Sequence, residues 1–169
     1  MTGAGWSTSR TKVMDNAVMA YYQTTLSGSR TERPTTRQVS FPVAGLPPAR
    51  SEALSIFGAG HPHAPRVRSL LHAAQEASAG QGFTPAGHEA VALELTVHRA
   101  QEDRLSDATN FLGGVGDVLK DKRYRRPLLH LDDLAAVWLY RNDRQIKQVL
   151  YREDVAARTS YTVTVRVLD

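Results

Sequence analysis

The chain has 169 residues, of which 41% are hydrophobic and 22% charged, a composition typical of a soluble folded protein with one hydrophobic core. No stretch approaches the roughly 18 consecutive apolar residues of a membrane helix, and the N-terminus lacks the pattern of a secretory signal, so we expect a cytoplasmic protein with no membrane partner. Cysteine is absent, which excludes disulfides and thiolate metal sites, and the net charge of +4 is weak evidence for a polyanionic partner.

The N-terminal part of the chain differs in composition from the rest. Residues 1–36 are rich in Ser, Thr and Gly around one short apolar patch, AVMAYY, which predicts a flexible arm ahead of a folded domain over residues 37–169. The domain opens with RQVSFPVAG, residues 37–45, in which every second residue is apolar, as in a strand with one buried face. Pro42 predicts that this strand lies at the edge of the sheet or carries a bulge.

A helix and a second strand follow a loop rich in Pro and Gly. Apolar residues at helical spacing predict a helix over residues 66–80, RVRSLLHAAQEASAG, with Gly80 as its stop. The segment HEAVALELTVHR, residues 88–99, alternates apolar and polar or small residues and predicts the clearest strand of the chain.

The second predicted helix, SDATNFLGGVGDVLKDK at residues 106–122, contains three glycines. Gly113, Gly114 and Gly116 together cost about 3 kcal/mol relative to alanine in an exposed helix. Small residues allow another segment, or a ligand such as a nucleic-acid backbone, to approach the helix axis. We favour close packing over direct ligand contact.

A basic run overlaps the end of this helix. Five of the seven positions from 120 to 126 are basic and one is acidic, and the cations are Lys120, Lys122, Arg123, Arg125 and Arg126. Two interpretations stay open from the run alone. It forms a solvated face, or it contacts the phosphates of DNA.

The last third of the chain predicts mainly strands. A short helical turn is expected near Leu128–Leu134, followed by strands at Val137–Tyr140 and Ile146–Tyr151, and by a final strand in SYTVTVRVL at residues 160–168. The order of elements predicts an α/β (α+β) fold, a single mixed β-sheet with two main helices packed on it.

Three polar residues suggest a catalytic site. Asp107 opens the second helix, Asn110 lies one turn further on, and Asp143 precedes a strand. If that strand lies beside the strand of residues 88–99, Asp107 and Asp143 would converge at one end of the sheet and bind Mg²⁺ or Mn²⁺, as in a phosphodiester hydrolase. The structural alternatives are a helix cap at Asp107, exposed surface at Asn110 and a turn residue at Asp143.

Four segments together resemble the RusA family of Holliday-junction resolvases over roughly residues 38–168. They are VSFPVAGLPPAR, AVALELTVHR, DATNFLGGVGDVL, which is similar to the family's Asp-x-Asp-Asn helix ending in Asp-x-Leu, and NDRQIKQVLYRED, which is similar to its Asp-Asp-x-Gln-Val strand entry. The resemblance implies a homodimer that binds branched DNA and cuts it with acidic side chains and Mg²⁺. It assigns catalytic roles to Asp107, Asn110 and Asp143 and places Gln145 at the motif glutamine.

Three motif positions depart from the family's pattern. Thr109 replaces the second helix aspartate, Gly113 replaces a lysine, and Asn142 replaces the first acid of the Asp-Asp pair. Fewer carboxylates hold a metal more weakly, and one cation fewer is available to stabilise the transition state. Asp117, Glu94 or Asp103 could substitute for the missing ligand. The alternative function is therefore a catalytically inactive DNA-binding or regulatory protein on the same fold.

Overall fold

The computed structural model describes residues 36–50, 55–101, 107–125 and 127–169. The predicted arm, except for Thr36, and Arg126 of the basic run lie outside the described residues. The regular elements are β1 (Gln38–Ala44), α1 (Ala64–Gln81), β2 (Val91–Arg99), α2 (Ala108–Leu119), a 3₁₀ segment (Leu129–Ala136), a 3₁₀ turn (Asp143–Gln145), β3 (Ile146–Val155) and β4 (Ser160–Val167).

The four strands form one mixed sheet in the order β1-β4-β2-β3. β4 runs antiparallel to both β1 and β2, whereas β2 and β3 are parallel. The predicted fold, a single mixed sheet with two main helices, is confirmed. Pro42 lies in β1, which forms one edge of the sheet, as the missing backbone N–H of proline predicts.

The hydrophobic core lies between one face of the sheet and the two helices. Alternate residues of the inner strands are buried on this face: Val91, Leu93, Leu95 and Val97 of β2, and Tyr161, Val163, Val165 and Val167 of β4. The opposite face carries mostly polar residues, and there the hydroxyls of Ser40 and Thr164 lie 2.8 Å apart. Because each large apolar side chain contributes about 1.5–3 kcal/mol when buried, this face determines which side of the sheet the helices cover.

Helix α1 ends later than the sequence predicted. Gly82, and not Gly80, adopts the left-handed conformation, with φ +66°, and its N–H donates to Ser78 O. Glycine adopts this conformation without steric cost, so it ends the helix there. At the other end, Pro65 lies in the first turn, where its missing N–H has no partner to lose.

The predicted strand at Val137–Tyr140 is wrong, because this segment does not join the sheet. β3 already occupies the position beside β2, so the segment pairs with the end of α2 instead. Leu139 N donates to Leu119 O at 2.8 Å, and Asp121 N donates to Tyr140 O at 2.9 Å. The strand predicted at Ile146–Tyr151 is present and continues to Val155. Among the described helices, none has the length and apolar character that crossing a bilayer requires.

Candidate functional site

Gly114 allows a loop to cross α2 in contact with its backbone. A Cβ atom at this position would lie 2.0 Å from Pro48 O and 3.0 Å from the Cα of Ala49, so no larger residue fits unless the loop moves. The crossing is held by a hydrogen bond of 2.9 Å from Arg50 N to Asn110 O. The prediction of close packing against the glycines is confirmed at Gly114.

Arg50 extends from this loop over Gly113 towards the last turn of α2. Its Cδ atom lies 3.3 Å from the position that a Cβ of Gly113 would take. Its Nε lies 3.6 Å from Asp117 Oδ2. The guanidinium of Arg50 therefore lies beside Asp117, on the helix face that Gly113 leaves open.

Lys120 joins Asp117 to Asp143. Its Nζ lies 2.6 Å from Asp117 Oδ1 and 2.9 Å from Asp143 Oδ2. Burial lowers the pKa of Lys120, but the hydrogen bonds and negative charges of Asp117 and Asp143 outweigh burial and leave that pKa above its ordinary value. Arg50, Asp117, Lys120 and Asp143 form a line of alternating charges, which we call the Lys120 cluster.

A capped turn ahead of β3 fixes the position of Asp143. The side-chain carbonyl of Gln145 accepts hydrogen bonds from Arg141 N at 2.7 Å and Asn142 N at 3.0 Å, and its amide donates to Glu89 O at 2.9 Å. Asn142 in turn accepts from Arg144 N through its side chain. The buried Gln145 thus links the turn to the loop before β2, which gives the motif glutamine a positioning role.

Replacing Gln145 by alanine should lower the free energy of unfolding by about 2 kcal/mol, because it leaves the partly buried N–H groups of Arg141 and Asn142 and the carbonyl of Glu89 without their side-chain partner. Urea denaturation measures this effect. The exposed Gln75 on α1 provides the matched control, since Gln75→Ala removes the same side chain without these bonds. Equal stabilities of the two variants would contradict the role assigned to Gln145.

Asp107 lies at the opposite end of α2 from Asp143. α2 connects the carboxyl end of β2 to the parallel strand β3, so its first residues and the turn before β3 lie at opposite ends of the sheet. Asp117 follows Asp107 by ten residues, which separates their Cα atoms by about 15 Å along the helix axis. The structure therefore does not bring Asp107 and Asp143 together, and these two residues do not fit a shared Mg²⁺ or Mn²⁺.

Asn110 lies at the same end of α2 as Asp107. Both side chains are exposed, and that of Asp107 occupies the N-cap position without making a capping hydrogen bond. The carboxylate that approaches Asp143, through the Lys120 ammonium, is that of Asp117, which the sequence offered only as a possible substitute for the missing ligand. Among the described residues, no group of three or more His, Asp or Glu side chains could hold a metal.

Lys122 of the basic run lies inside the protein. Its Nζ donates to Val118 O at 2.9 Å, to Lys120 O at 3.1 Å and to Val137 O. Burial lowers the pKa of Lys122 from 10.5 to about 8. The predicted phosphate contact at Lys122 does not fit this position, because the ammonium binds the end of α2 to the segment before Tyr140.

Arg123 and Arg125 lie on the surface in a turn that exposes Tyr124 almost completely, at 97%. Arg123 pairs with Asp121 at a distance of 2.6 Å from its Nε, and its guanidinium lies 5.8 Å from the ring centre of Trp138. The guanidinium of Arg125 lies 4.7 Å from the ring centre of Phe57. Among the described cations of the run, Lys120 and Arg123 are paired with acidic side chains and Lys122 is buried. Arg125 alone is both exposed and without an acidic partner.

A second group of cations surrounds the capped turn and was missed in the sequence. Arg141 and Arg144 are exposed, and in the described part of the chain neither has an acidic partner. Arg141 Nη1 lies 3.1 Å from His88 Nε2. We call Arg141, Arg144 and His88 the basic turn surface, and Lys147 lies at its margin in a shallow depression that Arg144 and His88 also line. The basic residues of YRNDRQIK, at every third position, are the signal that could have identified it.

Comparison with known proteins adds no relative to this description. No protein-family model matches the chain, and no curated protein matches it. The resemblance to the RusA family therefore stays a prediction that depends on the four quoted segments.

Proposed function

We propose that this protein binds DNA without cutting it, as an inactive member of the fold that the RusA resemblance implies. One observation carries the proposal: the Lys120 ammonium lies between Asp117 and Asp143, whereas Asp107 lies about 15 Å away along α2. The carboxylates of Asp117 and Asp143 are therefore both already paired with the Lys120 ammonium. The replacements Thr109, Gly113 and Asn142 support the same interpretation, because they remove charged groups from the motif.

The basic turn surface is the proposed phosphate-binding site. Arg141 and Arg144 are exposed on either side of a turn that Gln145 fixes by hydrogen bonds, so binding costs little conformational entropy beyond that of the two arginine side chains. Guanidinium groups without acidic partners are available for phosphate oxygens. Arg125 is a further exposed cation, on the turn that follows Lys122. In line with the resemblance, we propose branched DNA as the ligand, a homodimer as the binding unit and the cytoplasm as its location.

The double variant Arg141→Ala/Arg144→Ala should bind a fluorescently labelled four-way junction about tenfold more weakly than the unchanged protein at low salt. The slope of log Kd against log salt concentration should fall by about 2, because each lost phosphate contact removes about 0.9 from it. Fluorescence anisotropy measures both quantities. The control is Arg158→Ala, since Arg158 is an exposed arginine beyond the far end of β3. Unchanged affinity of the double variant would refute the proposed site.

Metal-dependent cleavage of DNA is the second candidate function. It is favoured by the convergence of Asp117 and Asp143 on one ammonium, since a divalent ion needs carboxylates brought together in this way. Mg²⁺ or Mn²⁺ would have to replace Lys120 between them. In this candidate the essential acids are Asp117 and Asp143, and Asp107 has no role.

A further inference from the structure

β3 is a long edge strand that carries exposed apolar side chains. In the described sheet it pairs with β2 alone, and its other edge has no partner strand. Val149 is 55% exposed, Leu150 37% and Val155 70%. Proteins usually protect such an edge, because its unpaired backbone groups are a template for another strand. β3 contains no proline or glycine, and its one register shift against β2, which skips Lys147, lies at the start of the strand.

Both faces of β3 contribute to this apolar edge. The register pairs Leu93 with Val149 and Leu95 with Tyr151, so these two residues of β3 continue the face of the sheet that carries the core. Leu150 lies on the opposite face. A strand added to β3 would therefore bury apolar surface on both sides of the sheet.

The charges of β3 identify the strand that fits. When two copies of β3 are placed antiparallel with Leu150 on the two-fold axis, Lys147 lies opposite the partner's Glu153, and this pair occurs twice. Val149 then lies opposite the partner's Tyr151, and Leu150 lies opposite the partner's Leu150. In β-sheets such opposite-charge and apolar pairs are favourable.

Neighbouring registers lack this complementarity. With the axis at Tyr151, Lys147 lies opposite the partner's Val155 and Val149 opposite the partner's Glu153, so charges face apolar side chains. With the axis at Val149, Lys147 lies opposite the partner's Tyr151. Only the register centred on Leu150 pairs each Lys147 with an acid in the opposite strand.

We propose that two copies of this chain associate through antiparallel pairing of β3 with Leu150 on the two-fold axis, forming one continuous sheet of eight strands. This inference rests on the proposed homodimer and names its contact surface. Within each strand, Glu153 accepts a hydrogen bond of 2.6 Å from Tyr151 Oη. The arrangement places the two basic turn surfaces about 40 Å apart, at opposite ends of the paired strands.

Disulfide trapping tests the register, because the natural chain has no cysteine. Under mild oxidation the full chain with Leu150→Cys should form a disulfide-linked dimer as its main product, since residues opposite each other in an antiparallel pair lie close enough for a bridge. Val149→Cys should remain largely unlinked, because the two copies of this position are offset by two residues. Leu129→Cys, at an exposed leucine outside β3, is the second control. Equal linking of all three variants would overturn the register.

Charge reversal tests the same pairs without a covalent bond. Lys147→Glu and Glu153→Lys should each raise the dimer dissociation constant about tenfold or more, and the double variant should restore it, as measured by analytical ultracentrifugation. Leu150→Lys should give monomers, whereas Leu129→Lys should not.

A dimer unaffected by these changes would show that another surface forms it, so that the β3 proposal fails and the homodimer stands. A protein that stays monomeric at all concentrations tested would also overturn the proposal. DNA affinity is measured on the Arg141 and Arg144 variants, which lie outside β3, so failure of the DNA proposal is separate.

Discussion

Gly114→Ala is expected to lower the free energy of unfolding by about 3 kcal/mol or more. The added methyl group would lie 2.0 Å from Pro48 O and 2.7 Å from the carbonyl carbon of Pro48, and both are backbone atoms. The loop cannot move away freely, because the hydrogen bond from Arg50 N to Asn110 O and the bond of 3.0 Å from Ala49 N to His63 Nδ1 hold it. Overpacking against fixed backbone has costs of this size.

Gly116→Ala is the matched control, two residues further along the same helix. Its Cβ would meet Tyr140 Oη at 3.6 Å, which is an ordinary van der Waals contact. The higher helix propensity of alanine should then raise the free energy of unfolding by up to about 1 kcal/mol. Urea denaturation of both variants compares the two effects. Should Gly114→Ala be as stable as Gly116→Ala, the loop would not cross α2 at this position.

Lys122→Met is expected to destabilise the protein by roughly 3 kcal/mol at pH 7. The methionine fills the volume of the lysine stem but leaves the carbonyls of Val118, Lys120 and Val137 without their shared donor. The loss of stability is smaller than three broken hydrogen bonds would suggest, because the substitution also removes the cost of burying a charge. Leu129→Met, at an exposed leucine in the same part of the chain, should change stability by less than about 0.5 kcal/mol.

The same lysine predicts a dependence of stability on pH. Burial lowers the pKa of Lys122 to about 8 in the folded protein, against 10.5 for an unburied lysine. Between these values the unfolded chain binds more protons than the folded chain, so the free energy of unfolding should rise with pH, by at most about 1.4 kcal/mol per pH unit. The usable window is pH 8 to 10, because burial raises the pKa of Tyr140 and Tyr161 and the opposite effect starts above 10.

Urea denaturation at pH 7, 8, 9 and 10 measures this rise. The difference in stability between the unchanged protein and Lys122→Met should grow across the window, since all other titrating groups are common to both. A difference that stays constant with pH would show that Lys122 keeps its proton up to pH 10 in the folded state.

The local pattern of apolar and polar residues was sufficient to predict most strands of the sheet, but it was not sufficient to predict which residues meet at the site. Alternation in residues 88–99 and 160–168 predicted β2 and β4 because burial of one face is a local property of a strand. The same pattern failed at Val137–Tyr140, where buried residues pack against the end of α2 and not in the sheet. Periodicity reports burial, and it does not identify the neighbouring segment.

The expected pairing of Asp107 with Asp143 could have been rejected from the sequence. A helix that connects two parallel strands starts at the end of the sheet opposite to the end where it finishes, so residues at its start do not meet the turn before the second strand. Asp117, at the end of the helix, was the better candidate. The burial of Lys122 could not have been predicted in this way, because its three acceptors come from α2, from the residue that follows it and from the segment before Tyr140.

The Lys120 cluster has a structural role beside the proposed DNA-binding surface. Its four residues connect the crossing loop, the end of α2 and the turn before β3. That turn carries Arg141 and Arg144, so the cluster and Gln145 together position the proposed phosphate contacts. In the proposed function, the charged residues that remain from the RusA-like segments hold this surface and take no part in hydrolysis.

Incubation of a labelled four-way junction with an excess of the full chain and Mn²⁺, with the same samples run on native and denaturing gels, tests this account most directly. We predict a shifted complex on the native gel and intact strands on the denaturing gel. Cut strands that disappear with Asp117→Asn and Asp143→Asn but persist with Asp107→Asn would contradict it and establish metal-dependent cleavage at Asp117 and Asp143.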